Sequence, residues 1–452
     1  MHLNYGIRIN PKLKKTAFER EARSFMFTMG SIDSKEILKE SPMAHRPFVG
    51  DQRLLKNMNR LALLRLLRGE PGISRAEMAV QTGLTRSTVS VLIKELIEEG
   101  WLEEDSAHVT GQPGRRPTPV RLSGSRIMLV GADLGPDAIC VVTTSIRMEV
   151  LQTSIEPLRS RDPQAACRQL VEMVQAHAGR LVNEDARLLG IGVGLHGAVD
   201  MRSGLLQLAP NMGWRNVEVG KLLRAELALA GLSTAPVYFH NEAALAAMGE
   251  TESSRRPIDD PLVYVSCGVG VGAGIVLNEG LFTGATGSAG EIGHTNLVID
   301  GRPCSCGRLG CAEAYVGLRA IASEIGALRS GAIDHADLRQ RMAARDPQAR
   351  AAFAQAGKFL GVLLQDVWTT FNPMVIVLGG ETVALGGETL LDAACEVLAD
   401  VSARVGLPAP VVRRARYAER AAAVGGAAFV LHAALSPHQS AHHPVLPVDF
   451  KD

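Results

Sequence analysis

Apolar residues recur at helical spacing in the stretch that follows residue 50. Leu54, Met58, Leu61 and Leu64 form one stripe, and the pattern stops at the turn-forming segment 69–72. A spacing of three to four residues places these side chains on one face of a helix. This segment is therefore predicted to be an amphipathic helix that packs by that stripe and ends at Gly69.

Two shorter helices and a hairpin are predicted next. The second helix covers residues 74–82, and the third begins after Leu84, ends near Gly100 and has apolar residues on its inner face. A hairpin-like stretch follows Trp101, and its tip, residues 110–117, is rich in turn formers. Three helices followed by a hairpin form the layout of a winged helix-turn-helix, here over residues 51–122. The inner residues of the third helix are Val89, Leu92, Ile93 and Leu96.

The pattern changes after residue 122. Short apolar runs end in glycine-rich turns and alternate with helical segments, and the clearest runs are 127–135, 189–194, 262–270 and 375–380. Strand, glycine turn and helix, repeated in two halves, predict an α/β domain with a ligand in the cleft between two lobes.

Four segments are expected from these changes in pattern. They are a poorly ordered extension at 1–50, the winged helix-turn-helix at 51–122, a large α/β domain at 123–435 and a flexible tail at 436–452. An arm that contacts DNA is the alternative interpretation of the extension.

Composition indicates a cytoplasmic protein with its basic excess at the amino-terminal end. The net charge is +1 over 452 residues, yet residues 1–50 carry nine Lys and Arg against five Asp and Glu, and residues 51–121 carry eleven against nine. A polyanion is most favourably bound there. Neither an apolar run of membrane-spanning length nor a signal peptide is found. No membrane contact is expected.

The outer face of the third helix is suited to DNA. In a helix-turn-helix the second helix of the motif lies in the major groove and presents short polar or basic side chains. Here these residues are Arg86, Ser87, Ser90 and Lys94, with Val91 among them. The alternative is that this is only a small packing domain.

Two further basic residues, Arg115 and Arg116, lie between Gly114 and Pro117 in the hairpin tip. They are predicted to enter a narrow minor groove, whose potential favours arginine. The alternative is a solvated turn without a DNA contact.

The motif with the most specific chemistry combines one histidine with three cysteines. His294 is followed by Cys304, Cys306 and Cys311, and three of the seven cysteines thus fall within eight residues. Three thiolates and one imidazole complete a tetrahedral Zn²⁺ shell, so a closed, structural zinc site is predicted. One ring nitrogen of His294 would bind the metal and the other would remain for a ligand. The alternative is buried free cysteines beside a loop histidine.

At these residues the sequence resembles the ROK family of sugar kinases and of repressors of the NagC and XylR type. Residues 291–294 with 304–313 are similar to its zinc signature, and the resemblance extends from about residue 51 to 435. It implies an actin-like, two-lobed α/β sugar-kinase fold with ribonuclease H-like lobes, which the repressor branch precedes with a winged helix-turn-helix. Other similar segments are 190–200, 209–214, 241–250, 284–290 and 372–380.

The resemblance also implies a sugar site. Its residues in this sequence would be Asn241, Glu242, Glu291, His294 and Glu313. Carboxylates and amides in a cleft form directional hydrogen bonds that distinguish sugar stereochemistry.

The residues that a sugar kinase needs are altered. Where the kinases carry Asp-x-Gly-Gly-Thr, this chain has Asp133-Leu134-Gly135-Pro136-Asp137, which removes an amide donor and adds a negative charge. The second turn, 268–270, lacks a hydroxyl donor, and Glu242 stands at the position of the catalytic Asp. No catalytic residue is therefore predicted. The glycines at 379–380 and 425–426 are interpreted as packing residues.

The sequence thus predicts a transcriptional repressor of carbohydrate genes. Its partners would be a double-stranded DNA operator and a sugar or sugar-phosphate effector, and it would act as a homodimer or homotetramer. An active ROK sugar kinase with an accessory DNA-binding domain is the alternative. A regulator controlled by a partner protein would have the same sequence features.

Overall fold

The computed structural model describes residues 52–104, 119–179, 186–254 and 259–436. The predicted extension at 1–50, the hairpin tip with Arg115 and Arg116, and all of the predicted tail beyond Ser436 lie outside the described residues.

Three helices and a two-stranded antiparallel hairpin form the amino-terminal part of the described chain, as predicted. Ser74 and Glu77 cap the second helix reciprocally, since the Ser74 amide donates to the Glu77 carboxylate at 2.8 Å and the Glu77 amide donates to Ser74 Oγ at 3.3 Å. Thr85 caps the third helix by accepting from the Thr88 amide. The elements are α1 (Gln52–Gly69), α2 (Arg75–Thr82), α3 (Arg86–Glu98), β1 (Leu102–Glu104) and β2 (Val120–Leu122).

The apolar stripe predicted for α1 is wrong at Met58, which is 48% exposed. The buried face of the helix includes Arg60 instead. Its guanidinium group turns inward to Glu95, at 3.1 Å, and to Glu99, both from α3. The buried face of α1 is therefore centred on Arg60 and the leucines that follow it, and it does not include Met58. The prediction for α3 is confirmed, because its four inner residues are buried.

The first lobe of the α/β domain is built on a five-stranded sheet. Three of its strands, β3, β6 and β10, run parallel, and β4 and β5 extend the sheet antiparallel. The order is β10-β6-β3-β4-β5, with β3 (Ile127–Leu134), β4 (Ala138–Ser145), β5 (Val150–Pro157), β6 (Arg187–Leu195) and β10 (Val237–Asn241). Also in this lobe are α4 (Pro163–Ala178), β7 (Ala198–Asp200), β8 (Leu205–Ala209), β9 (Trp214–Val217) and α5 (Val219–Leu229).

The second lobe repeats this plan. Its sheet has the order β13-β12-β11-β16-β17, with β11 (Leu262–Cys267), β12 (Val271–Leu277), β13 (Gly280–Leu281), β16 (Val375–Gly379) and β17 (Val411–Arg414). Its other elements are α7 (Glu313–Val316), α8 (Leu318–Glu324), β14 (Leu328–Arg329), β15 (Ala332–Ile333), α9 (His335–Ala343), α10 (Pro347–Phe371) and α11 (Glu381–Val405). No helix within the described ranges is long and apolar enough to span a bilayer.

Two helices, α6 (Glu242–Ser254) and α12 (Ala421–Leu435), contact both lobes. They approach each other so closely that a Cβ atom on Gly425 would lie 1.8 Å from the Leu245 carbonyl oxygen. A Cβ atom on Gly379 would similarly lie 1.9 Å from the Tyr264 hydroxyl. The packing role predicted for these glycines is confirmed.

The winged helix shares an apolar core with the first lobe. One buried cluster contains Leu64 and Trp101 from the winged helix together with Ile127 from β3 and Phe429 from α12. The two parts are therefore joined by packing as well as by the chain.

Candidate functional site

The parallel strands of the first lobe end side by side at one edge of the sheet. Leu195 of β6 pairs with both Leu134 of β3 and Asn241 of β10. Ligands of open α/β sheets bind beyond the carboxyl ends of the strands. The residues at these ends therefore line the candidate cleft.

His196 follows β6 at this edge, and sequence reasoning missed it. Its Nε2 lies 2.9 Å from Asp133 Oδ1. Burial alone would disfavour a charge on the imidazole, but the carboxylates of Asp133 and Glu242 outweigh it and raise the pKa of His196 to about 9. The cleft thus contains an imidazolium at neutral pH.

Asn241 and Glu242 form the junction between β10 and α6. Asn241 Nδ2 donates to Glu242 Oε2 at 2.6 Å, and Asn241 Oδ1 accepts from the Ala243 amide at 2.9 Å. Burial raises the pKa of Glu242, which His196 opposes and Asp133 reinforces. The amino end of α6 therefore presents its first carboxylate to the cleft.

The other predicted sugar residues come from the second lobe. Desolvation raises the pKa of Glu291, and the charges of Glu242 and Glu313 act in the same direction. Glu313 lies beside His294, because Cys304 Sγ is 3.7 Å from Glu313 Oε1 and 3.6 Å from His294 Nδ1. His294 belongs to the same group of residues, because its Nε2 lies 3.9 Å from Glu291 Oε2.

Glu313 links this group of residues to the second glycine turn. Its Oε2 accepts from the Val271 amide at 3.1 Å, and its Oε1 accepts from Ser305 Oγ at 2.8 Å. The Val271 amide, directly after the second glycine turn, is thus bound to a carboxylate.

The predicted metal ligands lie together. The ligand atoms of His294, Cys304, Cys306 and Cys311 are all within 4.8 Å of one another. Cys306 Sγ is 3.7 Å from Cys311 Sγ, and Cys304 Sγ is 3.6 Å from His294 Nδ1. His294 therefore presents Nδ1 to the thiols and Nε2 to the cleft, as its predicted double role requires.

The loop around these cysteines depends on glycine. Gly310 has a φ of 74°, and a Cβ atom there would lie 1.7 Å from the Val298 carbonyl oxygen. Only glycine allows the chain to pass so close to its neighbour and bring Cys311 back to the other ligands.

The predicted DNA-contacting residues of α3 are exposed. Lys94 forms a long ion pair with Glu98, 3.8 Å away, and its side chain is 79% exposed. Ser90 Oγ donates to the Arg86 carbonyl at 2.8 Å. Arg86, Ser87, Ser90 and Lys94 therefore lie on one accessible face, while their role in DNA binding stays a prediction.

Fold and sites together define a winged helix-turn-helix joined to a two-lobed domain of the sugar-kinase type. Residues 57–103 match the winged helix-turn-helix DNA-binding family, and residues 129–433 match the ROK family. The chain belongs to the ROK family. This confirms the resemblance on which the fold class was predicted.

Curated relatives include both repressors and kinases. The xylose repressor of Caldicellulosiruptor bescii is 30% identical over 364 residues, which cover 77% of this chain and 89% of the repressor. The glucokinase of Halalkalibacterium halodurans is 28% identical over 278 residues, which cover 58% of this chain and 82% of the enzyme. The alignment with the repressor covers more of this chain.

A solved structure has the same overall fold. It is a ROK family transcriptional regulator described as a homologue of the Escherichia coli Mlc protein. The TM-score is 0.69 at 22% sequence identity, and the match covers 84% of this chain and 96% of the regulator.

Proposed function

We propose that this protein is a transcriptional repressor of sugar-metabolism genes whose operator affinity is set by a sugar bound between the lobes. The observation that carries the proposal is that Glu291, His294 and Glu313 are joined, through Cys304, by contacts of 3.6–3.9 Å in a chain that also presents the exposed face of α3. Family membership and the similarity to a xylose repressor support it.

The effector is an uncharged sugar rather than a sugar phosphate. The predicted sugar site holds three carboxylates against the His196 imidazolium, and Asp137 in the first glycine turn is paired with Arg161 at 3.8 Å. A phosphate carries between one and two negative charges at neutral pH, so it would meet repulsion there. Hydroxyl groups can instead donate to each carboxylate. The similarity to a xylose repressor makes D-xylose the first sugar to test.

The metal is Zn²⁺, and its role is structural. Zn–S bonds of about 2.3 Å at tetrahedral angles place two sulfur atoms about 3.8 Å apart, which agrees with the Cys306–Cys311 separation of 3.7 Å. Bound zinc would hold His294 with Nε2 toward the sugar and fix the loop that carries Ser305 and Glu313.

The domain has no kinase activity in this proposal. Asp133 is paired with His196 and so is not free to organise Mg²⁺, and the Val271 amide is bound to Glu313. Pro136 lacks an amide proton in the turn where phosphate would bind. These three features act on separate parts of the phosphate site.

A homodimer or homotetramer would place two recognition helices on a palindromic operator. Arg86, Ser87, Ser90 and Lys94 would lie in the major groove, and Arg115 and Arg116 would extend into the minor groove. Sugar binding changes operator affinity only if the sugar prefers one lobe arrangement over the other.

A thermal-shift panel tests the effector and the kinase alternative together. Free D-xylose, D-glucose and N-acetyl-D-glucosamine are compared with the 6-phosphates of the two hexoses, each with and without Mg-ATP. Saturation with a free sugar raises the melting midpoint by several degrees in this proposal. A shift confined to the phosphates would overturn the uncharged effector, and no shift with any sugar would favour control by a partner protein.

The active-kinase alternative rests on the similarity to the glucokinase and on the glycines retained in both turns. A coupled assay for ADP release with each free sugar distinguishes it. Turnover of about 1 per second or faster would identify a kinase, whereas the repressor proposal expects no sugar-dependent release.

A further inference from the structure

Helix α6 connects the candidate sugar cleft with the winged helix. It begins at Glu242, which faces the cleft, and Glu252 lies at its other end. Ten residues of α-helix span about 15 Å. A displacement of the amino end is therefore carried along a rigid element to Glu252.

Glu252 is buried and contacts two helices. Its carboxylate forms an ion pair with Arg68 at the end of α1, and its main-chain oxygen accepts from Arg68 Nη2 at 3.2 Å. Its Oε1 lies 3.2 Å from His432 Nδ1 on α12. Separating Arg68 from this buried carboxylate would destabilise the folded protein, so a shift of the end of α6 favours a matching shift of Arg68.

The neighbouring turn of α6 is bound to the second lobe. Glu250 is fully buried, and it accepts from Arg413 Nη1 and from the Arg416 amide, both at 2.6 Å. On the preceding turns Ala243 and Ala247 pack in the second-lobe core, while Leu245 and Met248 pack in the core shared with the winged helix. α6 thus contacts the second lobe and also the core that the winged helix shares with the first lobe.

The winged helix also has polar and cation–π contacts with the first lobe. Arg126 Nη1 donates to the Ile97 carbonyl at 3.2 Å. The Arg187 guanidinium lies 5.6 Å from the centre of the Trp101 ring. These contacts hold the winged helix on the first lobe, and they involve none of the cleft residues.

Space for movement lies beside the Arg68–Glu252 pair. A cavity of about 180 Å³ is lined by both residues and by Leu67, Arg121 and Met148, among others. This pocket is partly open to solvent, so it leaves room for the end of α6 to shift.

We infer that α6 transmits sugar occupancy to the winged helix and that the Arg68–Glu252 ion pair is the contact through which operator affinity responds. The inference rests on the proposed function. Arg68 and Glu252 act as positioning residues, because neither one touches the sugar cleft or the exposed face of α3.

The test measures operator affinity with and without saturating D-xylose in the full-length protein, on a duplex selected from a random library by the sugar-free protein. We expect the wild-type ratio to be about 10-fold or more. In R68M and in E252Q it should fall below about 3-fold, and the double variant should fall no further, since both changes remove one coupling. The Kd for D-xylose itself should be unchanged.

Two matched variants complete the experiment. R68K keeps the charge and should keep most of the sugar response, whereas R126M removes an anchor to the first lobe and should leave the response intact. A full response in R68M and E252Q would overturn the coupling role while leaving the proposed function standing. A wild-type protein that binds D-xylose without any change in operator affinity would overturn both.

Hydrogen exchange provides a readout that needs no substitution. D-xylose should alter amide protection at residues 248–254 of α6 and 63–69 of α1 in the wild-type protein. A change confined to the cleft would contradict transmission through α6.

Discussion

His196 and Asp133 form an ion pair at the carboxyl edge of the first-lobe sheet, with 2.9 Å between Nε2 and Oδ1. The pair joins the end of β6 to β3, the strand that precedes the first glycine turn. The pair gives the Asp133 carboxylate, near the end of β3, a positively charged partner from within the chain.

This pair makes stability depend on pH in a specific direction. The pKa of His196 is raised from 6.5 to about 9 in the folded protein. The stabilisation is therefore complete below about pH 6.5 and is lost as the pH rises through about 9. The difference in melting midpoint between wild type and H196Q should be largest at pH 6 and should shrink toward pH 10. A constant difference across this range would contradict the ion pair, and D133N should show the same loss as H196Q.

Substitution of a cysteine in the metal cluster should remove the bound zinc. The change in operator affinity on sugar binding should be lost with it. C306S and C311S each remove one of four ligands, so we expect less than one zinc per chain and a lower melting midpoint. C395S is the matched control, because Cys395 is exposed on α11 and lies outside the cluster. Elemental analysis of the purified proteins checks this. Full zinc content in C306S would disprove the ligand assignment.

The carboxylate of Glu291 should contribute to sugar affinity without contributing to the metal site. E291Q keeps the size of the side chain but weakens its hydrogen bonds to hydroxyls, so D-xylose affinity should fall by about 10-fold. Calorimetric titration measures this, and zinc content should stay at the wild-type level. E324Q, which changes a carboxylate of α8 paired with Arg302, is the control and should bind D-xylose normally.

Substitutions of the two basic residues of α3 should differ in how they change the salt dependence of DNA affinity. If Lys94 contacts a phosphate, K94A should reduce the slope of log affinity against log salt by about 0.9 and weaken all sequences alike. R86A should cost about 1–3 kcal/mol on the selected duplex and less on a random one, as a base contact would. K358A removes an exposed lysine of α10 and should change neither quantity. Identical behaviour of K94A and K358A would exclude Lys94 from the interface.

The local sequence pattern was sufficient to predict features whose residues lie close together in the chain. The inner residues of α3 follow the helical period, and the metal ligands lie within residues 294–311, so both could be predicted. Met58 and Arg60 could not be, because the buried face of α1 is set by Glu95 and Glu99, more than thirty residues away. Apolar periodicity does not account for a buried arginine.

Three residues on which the proposals depend were missed for a related reason. His196 gains its role from the register of β3 and β6, which brings it to Asp133 across 63 residues of chain. The contact between Arg68 and Glu252 spans 184 residues. A charged residue directly after a buried strand was the one available signal for His196, and Arg68 at the end of an amphipathic helix offered none.

The core shared by the winged helix and the first lobe makes the folded state of one part depend on the other. Trp101 and Phe429 are buried in the same cluster, so neither half can lose the other without exposing apolar surface. Cleavage of the chain between these two parts would therefore leave the winged helix with an uncovered apolar surface, which favours aggregation over independent folding.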